Sequence, residues 1–563
     1  MKNNLRMILY VVAAGLIFIL WQRWQQINQP IVPDAQYSPS VVQNSSDNSV
    51  PALPANGNSA ITNSTASAST AQQIVQVKTD VLDLQISTKG ATVVGAELLK
   101  YPTSLEDKAS LALVHENNPN RMILASGLVA SQPANAAPTH LSQWSNENRL
   151  YTMAEGQDTL TVPFTWKDEN GIEVKKTFTF HRGKYEIEVN QIVNNNSAAN
   201  WKGMSYGQIA FGDGQGPGGL GHVATFTGAV MSSADNRYDK IKLKDIASIR
   251  QNDTPQSNKY LKNIISTDGW VAMIQHYFIG AIVPRGNAEN ILYTQYNPNN
   301  GDHIIGVKSP MTDIAPGQSH SFDTSLYIGP KIAKNLEAVS PYLDKTVDYG
   351  ILFMISQFMF NVMAIFYSFI GNWGWSIVVM TLLIKLVFFV PSAWAYKSMA
   401  KMRALQPEMT RLRERYGDDR QGMSRAVMEL YKKEKVNPAS GCLPMLLQIP
   451  FFIAFYYMLA ESVELRQAPW ILWIHDLSVK DPYFVLPIIN MILMFVQQRL
   501  NPPPTDPMQQ KVMMMLPLIF GFMFMWFPSG LVLYWTVSNA FGIIQQWVMI
   551  RRYGGGHHHA VKS

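Results

Sequence analysis

A single lysine interrupts a long apolar stretch of this 563-residue sequence. Lys385 lies in residues 375–394, WSIVVMTLLIKLVFFVPSAW, and a membrane span needs about 20 mostly apolar residues. A lysine at bilayer depth costs roughly 2.5–3.5 kcal/mol on insertion scales and usually faces a protein interior or a wet cavity. The alternative is a side chain that snorkels to the interface, but Lys385 lies about ten residues from either end, roughly 15 Å. We therefore expect a charge inside a membrane cavity.

Other polar side chains occur at membrane depth in the apolar segments of the C-terminal half. They are Thr381, Gln448, Ser538 and Asn539. Together with Lys385 they are expected to form the partly polar interior of a helix bundle, where neighbours or cavity water also satisfy the carbonyl groups freed by prolines. Such residues mark pathways for ions, protons or polar chain segments.

This set of residues does not indicate an enzyme. A proton- or ion-coupled transporter usually has internal repeats and paired intramembrane carboxylates, and the apolar segments show neither. An intramembrane hydrolase needs a nucleophile and a base at matching depth, and no histidine lies in an apolar segment. The three histidines at 557–559 follow three glycines, which is typical of a flexible tail. We predict no catalytic residue, no cofactor and no metal site.

The overall hydropathy is an average over a polar N-terminal part and an apolar C-terminal part of the chain. The mean hydropathy is −0.04 and the net charge is +6, and the basic residues concentrate in loops of the C-terminal half. This distribution favours membrane topology over nucleic-acid binding, so no sequence-specific nucleic acid is expected as a partner. The single cysteine excludes an intramolecular disulfide.

The first 71 residues are predicted to anchor and tether the chain. Residues 1–24 hold two early basic residues and an apolar run that ends in tryptophans without a small-residue cleavage site, which predicts an uncleaved signal anchor with a cytoplasmic N-terminus. Residues 25–71 are rich in Asn, Ser, Pro, Ala and Thr, and we interpret them as a flexible linker.

Residues 72–340 show the alternation of β-strands. Leu82, Leu84 and Ile86 alternate with polar residues, and Phe178 and Phe180 alternate with threonines. Many short strands of period two predict one large β-sandwich, which the topology places in the periplasm. It shows no catalytic constellation, and carbohydrate binding stays open as a second role.

Residues 341–373 are predicted to hold an interfacial amphipathic helix. Gln357, Asn361, Ala364 and Ser368 form a narrow polar stripe at helical spacing. If this helix also crossed the membrane, the basic loop 397–435 would lie outside, against the positive-inside rule.

The loop 397–435 is predicted to form a cytoplasmic hairpin of two amphipathic helices. Its methionines recur at spacings of three and four among many basic residues. One interpretation is a solvated loop that sets topology; the other is a docking hairpin with an adaptable methionine surface, and the two are compatible. Its candidate docking residues are Met399, Met402, Arg403, Met409, Arg413 and Met423.

Hydropathy and charge together predict six membrane spans with both termini in the cytoplasm. After residues 375–394, four further apolar segments follow, and six crossings place loop 397–435, loop 499–511 and the tail 554–563 inside. The expected fold is therefore an α-helical six-span bundle with a large periplasmic all-β domain.

Several long motifs carry a resemblance to a known family. They are GNWGWSIVVMTLLIK, SMAKMRALQP, YKKEKVNPASGCLPMLLQIPFFIAFYYML, SVELRQAPWILWIHDLS, DPYFVLP, TDPMQQK and WFPSGLVLYWTVSN. With them, residues 375–553 resemble the YidC family of membrane protein insertases. KTDVLDLQISTKG and STDGWVAM extend the similarity to the β domain of the Gram-negative form.

The resemblance implies a five-span core, here 374–553, with a groove open to the cytoplasm and to lipid. Lys385 matches a position that is commonly arginine in the family, so charge is kept while five fixed donors become one ammonium. Thr381 matches a groove position, and Trp535, beside Tyr534, matches a substrate-facing aromatic one. The implied hydrophobic slide comprises Phe451, Phe455, Met515 and Phe520. The implied β fold is a mutarotase-like supersandwich.

The function implied by the resemblance is non-enzymatic insertion of newly made proteins into the bacterial inner membrane. The implied partners are nascent membrane proteins, the Sec translocon, the ribosome (through the hairpin and basic tail) and the lipid bilayer. No cofactor is implied.

Overall fold

The structure is a computed structural model that describes most of the chain between residues 49 and 553. The described ranges are 49–51, 73–116, 121–133, 136–213, 225–250, 253–417, 419–437, 443–501 and 507–553. The predicted anchor at 1–24, nearly all of the linker 25–71 and the tail 554–563, with its histidines, lie outside the described residues.

The chain divides into two compact units, which are described separately. The β unit comprises Ser46–Phe358 and Ala454–Ser478, and the helical unit comprises Met1–Ser45, Met359–Ile453 and Val479–Ser563.

The described part of the β unit contains two large, mostly antiparallel sheets. The strands are β1 (Ile74–Lys78), β2 (Leu82–Ser87), β3 (Thr92–Pro102), β4 (Ser110–Val114), β5 (Met122–Gln132), β6 (Leu150–Thr152), β7 (Thr159–Lys167), β8 (Ile172–His181), β9 (Glu186–Asn195), β10 (Trp201–Phe211), β11 (Thr227–Ser232), β12 (Asp239–Ile241), β13 (Asn263–Ser266), β14 (Trp270–Gln275), β15 (Phe278–Pro284), β16 (Asn290–Asn297), β17 (Asp302–Lys308), β18 (Thr312–Ile314) and β19 (Ser319–Pro330). The first sheet runs β13-β16-β17-β10-β5-β3-β2-β1-β6, with β18 on β10 and β4 on β3. The second runs β12-β11-β14-β15-β19-β9-β8-β7.

The predicted alternation is confirmed in these strands. Leu82, Leu84 and Ile86 are buried on β2, and Phe178 and Phe180 are buried on β8. Period-two side chains that all point to one face must be covered, which is why the sheets pack face to face.

Close backbone approaches show how tightly the two sheets pack. A Cβ added to Gly207 on β10 would lie 3.1 Å from Ile282 on β15, and one added to Gly280 on β15 would lie 2.8 Å from Met122 on β5. A side chain at either position would press on a side chain of the facing sheet, so these glycines allow the close packing of the sandwich interior.

A segment far along the sequence completes the β unit. Lys331 Nζ pairs with Glu461 Oε2 at 2.5 Å, with both side chains buried. Arg466 Nη2 donates to the carbonyls of Pro102 at 2.7 Å and Thr103 at 3.0 Å. The compact unit thus exceeds the predicted boundaries 72–340, since it also includes residues 341–358 and 454–478.

The remaining elements are helices. They are α1 (Leu243–Ile246), α2 (Ala333–Val339), α3 (Phe353–Ile370), α4 (Trp373–Val387), α5 (Phe389–Ala404), α6 (Gln406–Tyr416), α7 (Arg420–Lys433), α8 (Leu443–Glu461), α9 (Val485–Leu500), α10 (Pro507–Phe524) and α11 (Ser529–Tyr553), with short 3-10 turns at Leu343–Thr346, Gly350–Leu352 and Val463–Leu465. Helices α6 and α7 are the predicted hairpin, joined by a turn at Gly417.

The apolar segment around Lys385 is bent. Helices α4 and α5 meet at Phe388 with a bend of 67°. Pro391 has no N–H to donate to the carbonyl of Val387 and its ring clashes with that turn, so a continuous helix is unfavourable there. Lys385 therefore lies in the last turn of α4, directly before the bend of this broken span.

Helix length and hydropathy identify few complete spans in the described residues. Gly350–Ile370 is by itself long and apolar enough to cross a membrane. The bent pair α4–α5 is also long and apolar enough if it is counted as one broken span. Shorter apolar helices occur at Leu447–Glu461, Val485–Leu500 and Gln510–Phe524. The helix at Gly350–Ile370, which is long enough to cross a membrane, is the one predicted to be interfacial. Its placement and the six-span count therefore stay predictions.

Candidate functional site

A chain of hydrogen bonds connects three helices of the helical unit. Lys385 Nζ on α4 donates to Gln448 Oε1 on α8 at 3.1 Å. Gln448 Nε2 donates in turn to Ser538 Oγ on α11 at 2.7 Å. Ser538 is fully buried, while Lys385 and Gln448 are half-buried. Three of the five residues predicted to share a polar interior are thus brought together.

The order of donors and acceptors in this chain is fixed by the lysine. An ammonium can only donate, so the amide of Gln448 must turn its oxygen to Lys385 and its NH₂ to Ser538. The apolar side chains of Leu386 and Val387, which follow the lysine, are exposed. The arrangement offers a positive charge and polar atoms beside an apolar surface, and it contains no activated nucleophile.

Thr381 lies outside this hydrogen-bond chain. Its hydroxyl donates to the carbonyl of Ile377 at 2.6 Å within α4, and the side chain is buried. Such a bond to residue i−4 satisfies the hydroxyl inside its own helix. Thr381 therefore lies one turn from Lys385, and its hydroxyl bonds within its own helix and not to Lys385, Gln448 or Ser538.

Asn539 has a partner that sequence analysis missed. Its Nδ2 donates to Asn490 Oδ1 on α9 at 2.8 Å, and both side chains are buried. Asn490 Nδ2 has no hydrogen-bond partner among the described residues. The rule that singled out Gln448, a polar residue inside an apolar run, would also have found Asn490.

The adjacent aromatic residues Tyr534 and Trp535 on α11 lie in different surroundings. Tyr534 is buried. Trp535 is half-buried and its ring packs edge-to-face on Phe452 at 4.6 Å and tilted against Phe524 at 5.4 Å. Its buried Nε1 has no partner among the described residues. Trp535 therefore belongs to an aromatic cluster from α8, α10 and α11.

The slide residues differ in accessibility. Phe451 packs edge-to-face on Phe388 at 5.1 Å, Phe520 stacks on Phe524 at 6.3 Å, and Met515 is exposed. Phe455 is fully buried within the β unit. An accessible apolar surface at Phe455 is therefore not observed, because close packing removes that side chain from contact with any substrate.

The hairpin methionines are mostly core residues. Met399 and Met402 are buried in a cluster with Leu405, Val436 and Met549. Met409 is also buried, and the hydroxyl of Tyr431 donates to its sulfur at 3.4 Å. The expected adaptable surface is wrong for these three methionines, since their side chains hold the hairpin against α11 and hold α6 to α7.

The remaining hairpin residues are more accessible. Arg403 Nη1 donates to the carbonyl of Leu500 at the end of α9 at 3.3 Å, Arg413 is exposed, and Met423 is half-buried. Met428, which sequence analysis did not single out, is exposed on α7.

Two family models match successive parts of the chain. The model described as the YidC periplasmic domain matches residues 74–362, and the one described as 60Kd inner membrane protein matches residues 365–555. The chain is 42% identical over 557 residues to the membrane protein insertase YidC of Nitrosococcus oceani, covering 98% of this chain and 99% of that protein. The chain belongs to the YidC family of membrane protein insertases.

Membership of the YidC family confirms the resemblance drawn from the motifs. The YidC insertase of Legionella pneumophila is likewise 42% identical over 552 residues, covering 97% of each chain. The YidC family is a bacterial inner-membrane family with a periplasmic domain, and an insertase is not an enzyme.

Solved structures add little to this assignment. A crystal structure of an active YidC insertase with its first transmembrane domain resolved covers 84% of this chain and 94% of its own, at 15% identity and a TM-score of 0.38. A galactose mutarotase related enzyme from Lactobacillus acidophilus covers 46% of this chain at a TM-score of 0.29. Scores this low do not establish a shared fold, so the supersandwich and carbohydrate binding stay predictions.

Proposed function

We propose that this chain inserts newly made proteins into the bacterial inner membrane through a hydrophilic groove around Lys385. The observation that carries the proposal is the Lys385–Gln448–Ser538 chain, which fixes a cation inside a helical unit beside exposed apolar side chains. The full-length identity to membrane protein insertases supports the same function.

The groove acts by lowering the dehydration cost of a polar segment. A short hydrophilic tail that enters it meets an ammonium with donors left over, because Lys385 carries three N–H bonds and Gln448 accepts one of them. An acidic tail is favoured over a basic one, since charge attraction is strong where water is scarce. No nucleotide, metal or covalent step is required.

Lipid supplies the driving force for release. Burial of the apolar segment of the substrate gains roughly 25 cal/mol per Å² of apolar surface. The slide along which it leaves would use Phe451, Met515 and Phe520, of which Met515 is the most exposed. Phe455, which is fully buried, is not proposed to contact substrate.

The proposed topology has six spans with both termini in the cytoplasm. It comprises the anchor at 1–24, the linker at 25–71, the periplasmic domain at 72–340, the interfacial helix at 341–373 and the core at 374–553. Basic residues on α6 and α7 support a cytoplasmic hairpin, since exposed Arg and Lys are retained on that side.

The proposed partners follow from this topology. Nascent membrane proteins enter the groove, and the hairpin, through Arg403, Arg413 and Met423, helps to receive them near the ribosome together with the basic tail. Tyr534, Trp535, Thr381 and Asn539 are proposed to shape the groove around the three hydrogen-bonded residues. Cooperation with the Sec translocon is part of the proposal.

Reconstitution tests the proposed function. The purified full chain in proteoliposomes should insert a single-span substrate with a short acidic tail, measured as protease-protected fragment. Empty liposomes and liposomes with heat-denatured protein are the controls. Insertion no greater than in the controls contradicts an autonomous insertase.

A further inference from the structure

On two helices of the helical unit, exposed apolar residues are followed within about one turn by exposed basic residues. On α5, Phe389, Val390 and Trp394 are exposed, and Lys397 follows Trp394 by three residues. Exposed apolar side chains in such a row are covered by lipid in a membrane protein, and tryptophan followed by basic residues marks the membrane–water interface.

Helix α11 repeats this order near its C-terminal end. Ile544, Trp547 and Val548 are exposed, and Arg551 follows Trp547 by four residues. The Arg551 guanidinium lies 3.7 Å from the centre of the Trp547 ring. A cation on an indole face is held at a defined position, so Arg551 has little freedom to move away from the apolar band.

Cations from both helices converge on one tyrosine ring. Lys397 Nζ on α5 lies 4.6 Å from the ring centre of Tyr553, and the Arg552 guanidinium on α11 lies 5.8 Å from the same ring. Lys397, Arg551 and Arg552 are all exposed. The ring of Tyr553 also packs against the buried cluster of Met399, Met402 and Met549, which fixes it in place.

These cations lack an acidic partner within the described residues. None of the ion pairs found there involves Lys397, Arg551 or Arg552. A cation–π contact does not cancel the charge of a cation, and an exposed one contributes only about 0.5–1 kcal/mol. Two like charges therefore remain beside one ring. The site is therefore electrostatically complementary to an anion.

We propose that Lys397, Arg552 and Tyr553, together termed the Tyr553 site, bind the phosphate headgroup of an anionic phospholipid. Arginine binds phosphate through a planar set of donors and lysine adds a point charge. The exposed apolar residues directly before both cations provide a surface for the acyl chains. RNA offers the same phosphates without an apolar part, so this juxtaposition favours lipid.

A bound lipid would join two elements that carry the hairpin. Lys397 lies on α5, which leads into the hairpin, and Arg552 lies at the end of α11. A shared headgroup offsets the repulsion between them and holds the base of the hairpin to the last helix. The leaflet is set by the proposed topology, whereas the headgroup site does not depend on insertase activity.

Lipid binding by the full chain in an uncharged detergent tests the site. Native mass spectrometry would titrate phosphatidylglycerol, with phosphatidylcholine of the same acyl chains as reference. In the wild type, phosphatidylglycerol should bind more tightly than phosphatidylcholine. The variant Lys397→Gln/Arg552→Gln should bind phosphatidylglycerol roughly 30-fold more weakly, since each basic residue near a surface contributes about 1 kcal/mol.

A matched control separates the site from diffuse charge. Lys432→Gln/Lys433→Gln removes the same charge from exposed positions on α7 and should leave phosphatidylglycerol binding unchanged. Equal losses in the two variants overturn the site in favour of diffuse attraction. An unchanged lipid affinity in the site variant, with loss of binding to a short RNA, overturns it in favour of a nucleic-acid contact.

Discussion

Lys385 Nζ and Gln448 Oε1 lie 3.1 Å apart and join helices from positions separated by 63 residues of sequence. Because Gln448 also donates to Ser538, one amide sets the place of the cation relative to two other helices. Replacement of that amide by a carboxylate would therefore change the net charge of the groove without removing the lysine.

Gln448→Glu should impair insertion more than Gln448→Leu does. The glutamate forms an ion pair with Lys385 and cancels the positive charge, whereas leucine removes an acceptor and leaves the charge in place. An ion pair of at least about 1 kcal/mol corresponds to about a fivefold loss. Protease-protected insertion of an acidic-tailed substrate measures both variants, and a greater loss with leucine would count against the electrostatic role.

Lys331→Met should destabilise the β unit strongly. Removal of one partner leaves the buried Glu461 carboxylate without its cation, which typically costs about 3–5 kcal/mol. The matched control is Lys167→Met, because Lys167 and Glu173 form an exposed pair at 3.2 Å that should contribute less than about 1 kcal/mol. Thermal unfolding of the full chain in detergent compares the two.

The double variant Lys331→Met/Glu461→Leu gives the complementary outcome. With both charges replaced by apolar groups of similar size, no buried charge is left alone and most of the stability should return. A double variant no more stable than Lys331→Met would contradict the importance of the pairing.

Lys176 should make the stability of the β unit depend on pH. Its Nζ donates to the carbonyls of Gly90 at 2.9 Å and Ser126 at 2.8 Å between the two sheets, and burial lowers the pKa of Lys176 from 10.5 to about 7. Between pH 7 and 10.5 the unfolded chain binds the proton and the folded one does not, so this group's stabilising contribution rises with pH across that window. Above pH 10.5 it is complete, and it is lost as pH falls to about 7.

Lys176→Met removes this titration. Calorimetric unfolding of the full chain at pH 7 and pH 9.5 should show a smaller gain in the Tm of the β unit in the variant than in the wild type. An identical gain in both proteins would show that Lys176 remains protonated in the sandwich.

Met402→Ala should lower the free energy of unfolding, and its effect should not be limited to docking. Met402 is buried in the cluster with Met549, and truncation of a buried methionine typically costs about 2–5 kcal/mol. Met428→Ala, at an exposed position of α7, should leave the unfolding temperature nearly unchanged. If Met402→Ala keeps wild-type stability but loses ribosome binding, the docking interpretation is correct instead.

Local periodicity predicted the elements that depend on nearby residues. The alternation at Leu82, Leu84 and Ile86 identified a strand, and polar residues inside apolar runs identified Lys385, Gln448 and Ser538, which the structure brings together. In both cases the pattern itself reflects the burial that the fold later imposes.

The same local patterns could not predict contacts between residues that are far apart in the sequence. The pairing of Lys331 with Glu461, which adds a distant segment to the β unit, joins positions 130 residues apart. The burial of Met399 and Met402 depends on Met549, far along the chain. A helical stripe of methionines has the same sequence pattern whether it faces a partner protein or the core. Whether it is buried depends on the neighbouring helix.

Replacement of Lys385 is the most direct test of a groove that attracts substrate through its charge. Proteoliposomes with the wild type, Lys385→Arg or Lys385→Glu would receive a single-span substrate with an acidic tail and, as a control, one with an uncharged tail. We predict protected insertion of the acidic substrate by the wild type and Lys385→Arg, its loss with Lys385→Glu, and a much smaller difference for the uncharged tail. Equal insertion of the acidic substrate by all three proteins would contradict a groove that acts through the charge of Lys385.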